Sequence, residues 1–170
     1  MSDVLSQVFT DQVERIDGLV EGLTDGLSDE VAFWRPDPAA NSVSWLLWHL
    51  SRVQDDHVAG LAGTEQVWTS QGFASRAGLP FGDSEIGYGQ DSDEVGAVRL
   101  GGAFLREYHR AVHAATLEYV GRLDDAEVDR VVDADWDPPV TAGVRLVSLI
   151  GDCLQHAGQA AYVVGLAERR

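Results

Sequence analysis

The chain has 170 residues, 45% of them hydrophobic, enough for one domain over residues 1–170 with a proper core. Its 28 acidic residues against 12 basic ones give a formal charge of −16, which repels phosphate backbones and anionic lipid surfaces, so no nucleic acid and no membrane is expected as a partner. The opening MSDVLSQVFTDQVERIDGLV lacks the basic region and apolar core of a signal peptide, no apolar run reaches bilayer length, and the single Cys153 has no intramolecular partner, so a reducing cytoplasm is the expected setting.

Four segments carry helical periodicity. In the first, Val4, Leu5, Val8, Phe9, Val13, Ile16, Val20, Leu23 and Leu27 recur at steps of three and four, which predicts one amphipathic helix despite Gly18 and Gly22. Pro36 and Pro38 then break helical structure, and Asn41 or Ser42 can cap the next helix, expected from about Val43 to about Gly60 with Leu46, Leu50 and Val53 inward. From Gly60 to Asp91 runs a connection of roughly thirty residues, far longer than most helix connections. Its Trp68, Phe73, Phe81 and Tyr88 predict a loop packed on the body of the protein, because disordered linkers are poor in aromatics.

Asp91 and Glu94 have capping-box spacing, so the third helix is expected to begin there and to carry Val95, Val98, Leu105, Val112, Tyr119 and Leu123 on one face. DADWDPPVTAG ends helical structure, and the fourth helix is expected from about Gly143 to about Glu168. The pattern predicts an all-α four-helix bundle with a long loop between helices 2 and 3, a fold that builds metal and cofactor sites from facing helices.

Polar residues interrupt the apolar stripes at telling positions. On the fourth helix Arg145, Leu149, Asp152, His156, Gln159, Val163 and Leu166 follow one another at steps of four and three, so Asp152 and His156 share the face of Leu149 and Val163. On the second helix His49 falls between Leu46 and Leu50, which turns its ring inward. A buried carboxylate beside imidazoles is costly unless paired or metal-bound. Two readings satisfy that condition. Either Asp152 and His156 make an internal hydrogen-bonded pair while His49 serves a buried carbonyl, or the three hold one divalent ion. Two histidines and one carboxylate leave coordination positions open and suit zinc, nickel or ferrous iron.

The segments NSVSWLLWHLSRVQDDHV, VWTSQGFASRAGLPF, GYGQDSDEVGAVR and PPVTAGVRLVSLIGDCLQHAGQAAYVVGLAER resemble the DinB-like superfamily of helical bundles, and more narrowly its actinobacterial branch, related to the N-terminal domain of mycothiol-dependent maleylpyruvate isomerase. The resemblance implies an up-down-down-up bundle and a divalent metal, zinc first, held by His49, by Asp152 and by the His156 that opens HAGQ. It also implies a frequent homodimer. A carboxylate at position 152 is closer to the mycothiol-linked branch, which has Glu there, than to the many relatives with His. The chemistry implied is that of a thiol S-transferase or isomerase, in which the metal binds the sulfur of a low-molecular-weight thiol and lowers its pKa before attack on an electrophile. A metal-dependent hydrolase is the second expectation, with His57 or His109 as base, and a non-catalytic stress or binding protein with a vestigial metal site is the third.

His57, His109, Arg145 and Gln159 are the residues expected to support the ligands or contact substrate. Arg145 has a competing reading as the partner of a surface carboxylate, His109 one as a satisfied core histidine, and His113 falls off the apolar stripe and is expected to face solvent. Trp45 and Trp48 flank His49 as pocket walls or core, and Cys153, about 100° around the helix from Asp152, reads as core filler.

Overall fold

The structure, a computed structural model, describes residues 2–170, with side chains from Val4 onward. Its elements in chain order are α1 (Ser2–Thr24), α2 (Asp29–Phe33), α3 (Val43–Ala62), α4 (Val67–Ser70), α5 (Phe73–Ala77), α6 (Ser92–Ala97), α7 (Gly102–Val120), α8 (Asp125–Asp129), the strands β1 (Val131–Asp133) and β2 (Val140–Thr141), and α9 (Ala142–Ala167). The molecule is all-α but for the antiparallel β1–β2 ribbon, which pairs Val131 with Thr141 and Asp133 with Val140 around the proline-rich turn.

Four long helices form a ring in which α3 touches α7 and α9, and α1 closes the ring against those same two. Hydrogen bonds fix their directions. Ser44 meets Leu100, Ser51 meets His109 and Gln54 meets Thr116, so α3 and α7 run parallel. Ser6 reaches Val120 while Arg106 reaches Thr24, so α1 and α7 are antiparallel. On the other side of α3, the Cys153 thiol donates to the Leu50 carbonyl, tying α9 to it.

α3 is buried on nearly all sides, as its run of Trp, Leu and Val allows once two neighbours cover it. Its start is set by Ser42, whose hydroxyl accepts from the Trp45 amide, a cap worth about 1 kcal/mol. Its end is Gly63, held in the left-handed region at φ 68°. The core centres on Trp48, Leu46, Leu47 and Leu50, with Ile16 from α1, Leu105 and Tyr108 from α7, and Leu146 and Leu149 from α9.

Three expectations change. The inward stripe of α1 begins at Phe9 and continues through Val13, Ile16 and Val20, whereas Val4 and Val8 are exposed and the helix ends at Thr24, before Leu27. The third helix is two helices. Asp91 and Glu94 do form the capping box of α6, but residues 98–101 leave helical geometry because Ser44 Oγ binds both the amide and the carbonyl of Leu100. The break also suits Gly102, where a Cβ would stand 3.1 Å from the Thr24 carbonyl oxygen. Finally, the segment after α1 is not wholly irregular, since Ser28 caps the short α2 through the Val31 amide.

Candidate metal centre

His49 on α3 faces Asp152 and His156 on α9. Each of the three offers one ligand atom, and those atoms all lie within 4.8 Å of one another. His49 is 2% exposed, while the side chains of Asp152 and His156 are 24% and 18% exposed. The α9 pair therefore stands at the rim of the apolar stripe rather than inside it, open to an incoming molecule from one side.

Both imidazoles are held at the same nitrogen. His49 Nδ1 donates to the Ile86 carbonyl oxygen, and His156 Nδ1 donates to Gln159 Oε1 at 2.9 Å. A carbonyl only accepts, so each ring in its neutral form carries its proton on Nδ1 and leaves Nε2 as the lone pair a metal requires. Of the four residues expected to support the ligands, Gln159 does so directly. His156 Nε2 lies 3.5 Å from Asp152 Oδ1, while Asp152 Oδ2 is buried without a hydrogen-bond partner.

A buried carboxylate oxygen without a donor is costly, and a cation between it and two imidazole nitrogens removes the cost. The three donors fit a divalent ion of the zinc, nickel or ferrous type, with coordination positions left over for an outside ligand. The ionisation states agree with that use. Burial lowers the pKa of His49 despite its bond to Ile86, which keeps the ring neutral. Burial acts to raise the pKa of Asp152, but the His156 bond and the nearby imidazoles outweigh it and hold the group ionised. The same Asp152 contact raises His156, so an ion binding there displaces a proton from that ring and binds less tightly as pH falls.

The segment crossing between α5 and α6 completes the site, which sequence periodicity missed. Ile86 supplies the carbonyl to His49, and Trp45 Nε1 donates to Gln90 Oε1 at 2.8 Å while its ring stacks on His49 at 4.6 Å. Between them Gly87 has φ 106°, and a Cβ there would stand 2.5 Å from His49 Nδ1, so both backbone shape and space demand glycine. Tyr88 then sets its ring edge-on to His49 at 5.3 Å and remains 60% exposed. Its pKa is raised by burial of part of the ring and by Asp152, so it keeps its proton at neutral pH. The GYG triplet was the available signal, two glycines around an aromatic within a long connection.

Arg52, also unmarked by periodicity, anchors that segment. It is 0% exposed, donates to the carbonyls of Asp83 at 3.0 Å and Glu85 at 3.2 Å, and lies over the Trp68 ring. Of the other aromatics expected to pack the connection down, Trp68 and Phe73 are buried, and Phe81 meets Trp48 at 5.6 Å.

The remaining expected residues are dispersed. His57 Nδ1 is 3.2 Å from Asp56, and together with Arg145 it lines a shallow recess of about 250 Å³ toward β1. Arg145 pairs with Asp133 at 3.6 Å, the alternative reading of that residue. His109 is inward but lies on the other side of α3, with Nδ1 3.0 Å from Ser51 Oγ, so it does not serve this cluster. His113 is not solvent-facing; its side chain is 15% exposed and turned toward Asp17. Cys153 is fully buried and its pKa is pushed up by burial and by Asp152, consistent with filler rather than nucleophile.

Residues 12–160 match the family model described as DinB superfamily. The chain belongs to the DinB superfamily. DinB-superfamily proteins are often metal-binding, which accords with the cluster on α3 and α9. A crystal structure of a conserved protein from Enterococcus faecalis is similar to this DinB chain over 98% of both chains, at 29% identity and a TM-score of 0.91. No curated protein sequence matches. No helix among the described residues is long and apolar enough to cross a membrane.

Proposed function

We propose that this DinB-superfamily chain is a divalent-metal-dependent enzyme that joins a low-molecular-weight thiol, of the mycothiol type, to an electrophile by S-transfer or thiol-assisted isomerisation. The observation that carries the metal reading is the unpartnered buried Asp152 Oδ2, set between two imidazoles whose Nδ1 positions are already occupied. The thiol reading rests on the carboxylate at position 152 and on the resemblance to the branch related to mycothiol-dependent maleylpyruvate isomerase. Zinc fits the donors best, and a reducing cytoplasm is the setting that suits a free thiol substrate.

When bound, the ion supplies a Lewis acid that lowers the pKa of a thiol ligand. The chain's own residues do the rest. His49, Asp152 and His156 are the ligands, fixed by Ile86 and Gln159, and they are not the acid or base of the reaction. Trp45 covers the inner face of His49 and excludes water there. Tyr88, protonated and at the exposed rim, is placed to donate a hydrogen bond to an electrophile's developing negative charge. A hydrolase would need a base beside the open positions. His109 is removed from that role by facing Ser51 across the bundle.

The test is a titration of the zinc-loaded protein with mycothiol, followed by monobromobimane. Saturable thiol binding and a conjugation rate above the uncatalysed one are expected, both lost in His49→Ala. Thiol binding that does not occur, with no rate above background, sinks the transferase reading.

A further inference from the structure

The groove between α3 and α9 does not end at His49, Asp152 and His156. Arg145 stands seven residues before Asp152 on α9, and His57 stands eight residues after His49 on α3, about 10–12 Å of helix in each case. The two helices reach this point from opposite directions, since Arg145 and His57 line one recess together with Asp56, Gly60, Leu61 and Val132. Tyr88, at the rim of the metal centre, feels the charges of Asp56 and Arg145 as well as that of Asp152, so recess and centre share one side of the molecule.

A hydrogen-bonded chain fixes what the recess offers. The buried Arg52 guanidinium can only donate and does so to Gln66 Oε1 at 2.8 Å, so the Gln66 amide has one orientation and its Nε2 donates to Asp56 Oδ1 at 2.8 Å. The other Asp56 oxygen meets His57 Nδ1 at 3.2 Å, which leaves Nε2 as the ring nitrogen for a ligand. Across from them, Arg145 approaches Asp133 Oδ2 only to 3.6 Å, too long for a hydrogen bond, so its guanidinium donors are available at the rim. Leu61 and Val132 supply an apolar floor. Gly60 adds no side chain, and a Cβ there would meet nothing within 4 Å.

Guanidinium donors facing imidazole and carboxylate acceptors over an apolar floor match a ring with hydroxyls on its edge and C–H groups on its face. An anion does not suit the place, because the carboxylates of Asp56 and Asp133 outnumber the one guanidinium. At about 250 Å³ the recess is smaller than the ~300–1,000 Å³ of sites that enclose a drug-sized molecule, so it takes one end of a ligand. We propose that this recess binds a polyhydroxylated ring and, resting on the proposed function, that the ring is the sugar end of the thiol whose sulfur reaches the metal centre. The offset along the helices exceeds the reach of a cysteine alone, at about 3.5 Å per residue, so a thiol must carry a ring beyond its cysteine to occupy both places. Arg52 serves both ends, because the guanidinium that orients Gln66 also holds the carbonyls of Asp83 and Glu85, next to the Ile86 carbonyl that orients His49.

The experiment titrates metal-free, full-length protein with N-acetylglucosaminyl-inositol, the sugar half of mycothiol capped by acetyl, and follows the side-chain ¹⁵N signals of His57 and Arg145. Saturable shifts of both are expected, with affinity about 10-fold weaker in Arg145→Ala, the cost of one charge-assisted hydrogen bond, and no binding in Gly60→Phe. Gly60→Phe fills the mouth of the recess without displacing an atom and replaces a helix glycine, so it folds, as circular dichroism and an unchanged zinc affinity should verify. In the zinc-loaded protein, Gly60→Phe should weaken mycothiol binding by about 10-fold or more and leave N-acetylcysteine, which has no sugar, binding as in wild type. A sugar that shifts neither His57 nor Arg145, or mycothiol that binds Gly60→Phe as tightly as wild type, overturns this site and leaves the proposed function standing. Shifts of both residues in a protein whose zinc form binds no thiol keep the sugar site and sink the thiol assignment together with the proposed function.

Discussion

Asp55 and Asp152 are both carboxylates set in seams of α3, and the protein treats them in opposite ways. On the α7 side, Asp55 accepts from the amides of Val67 and Trp68 at 2.8 and 2.7 Å and from the Tyr108 hydroxyl at 2.8 Å, with Arg52 at 3.6 Å. Both of its oxygens are used, all its partners are protein, and burial nevertheless raises its pKa. On the α9 side, Asp152 has one oxygen near His156 and one with nothing, yet its pKa is lowered. A saturated carboxylate ties a connection to the bundle. An unsaturated one beside two imidazoles makes a donor set that suits a cation.

The largest effect that separates these seams is expected from Asp55→Ala, which strands Arg52 and two amides and should cost about 3–5 kcal/mol in urea unfolding. A loss under about 1 kcal/mol would erase the distinction. The closed side should also be the one that acid opens. In the metal-free protein the folded His109 has a pKa of about 3 against an ordinary value of 6.5, so between those pH values the unfolded chain binds a proton that the native one refuses. Stability is therefore lost as pH falls through that window, on the order of 4 kcal/mol in total, and His109→Gln should flatten that part of the profile.

On the α9 side the effects fall on binding. His49→Ala should weaken zinc binding by more than about 100-fold, beyond the usual cost of losing a group that merely supports a ligand, as read by competition with a chelating dye. Gly87→Ala pushes a methyl group against the His49 ring and should cost about 10–100-fold in the same assay, with little change in helicity. The smallest effect is expected for Asp152→Asn on metal-free stability, within about 0.5 kcal/mol, because no hydrogen-bond network depends on Oδ2. A cost comparable to that of Asp55→Ala would make Asp152 structural after all.

The convergence of His49, Asp152 and His156 was legible because helices repeat every 3.6 residues, so inward faces can be counted without coordinates. The four long helices followed from the same count. What periodicity does not carry is contact between segments far apart in sequence. Arg52 looks like an ordinary charge on a helix until its carbonyl partners, 31 and 33 residues away, are known. The Ile86 carbonyl has no side-chain signature at all. The break between α6 and α7 was hidden because Val95, Val98 and Leu105 keep helical spacing across it, while the cause, Ser44, sits on another helix. Val4 and Val8 each precede Leu5 and Phe9 by one residue, about 100° around α1, so they stand exposed beside the stripe although Ser6 between them still reaches α7.

Cys153, next to Asp152 in sequence and 0% exposed with its thiol donating to the Leu50 carbonyl, gives the molecule a built-in clock. No other residue of the chain carries a thiol, so a disulfide reagent can react only in molecules whose α3–α9 seam has come apart. With the native reaction blocked, the labelling rate measures the fraction of time the seam is open. An ion held across that seam must slow the rate by the factor one plus its free concentration over Kd. The occupancy of the centre can thus be timed from inside the protein, without an assay for its reaction.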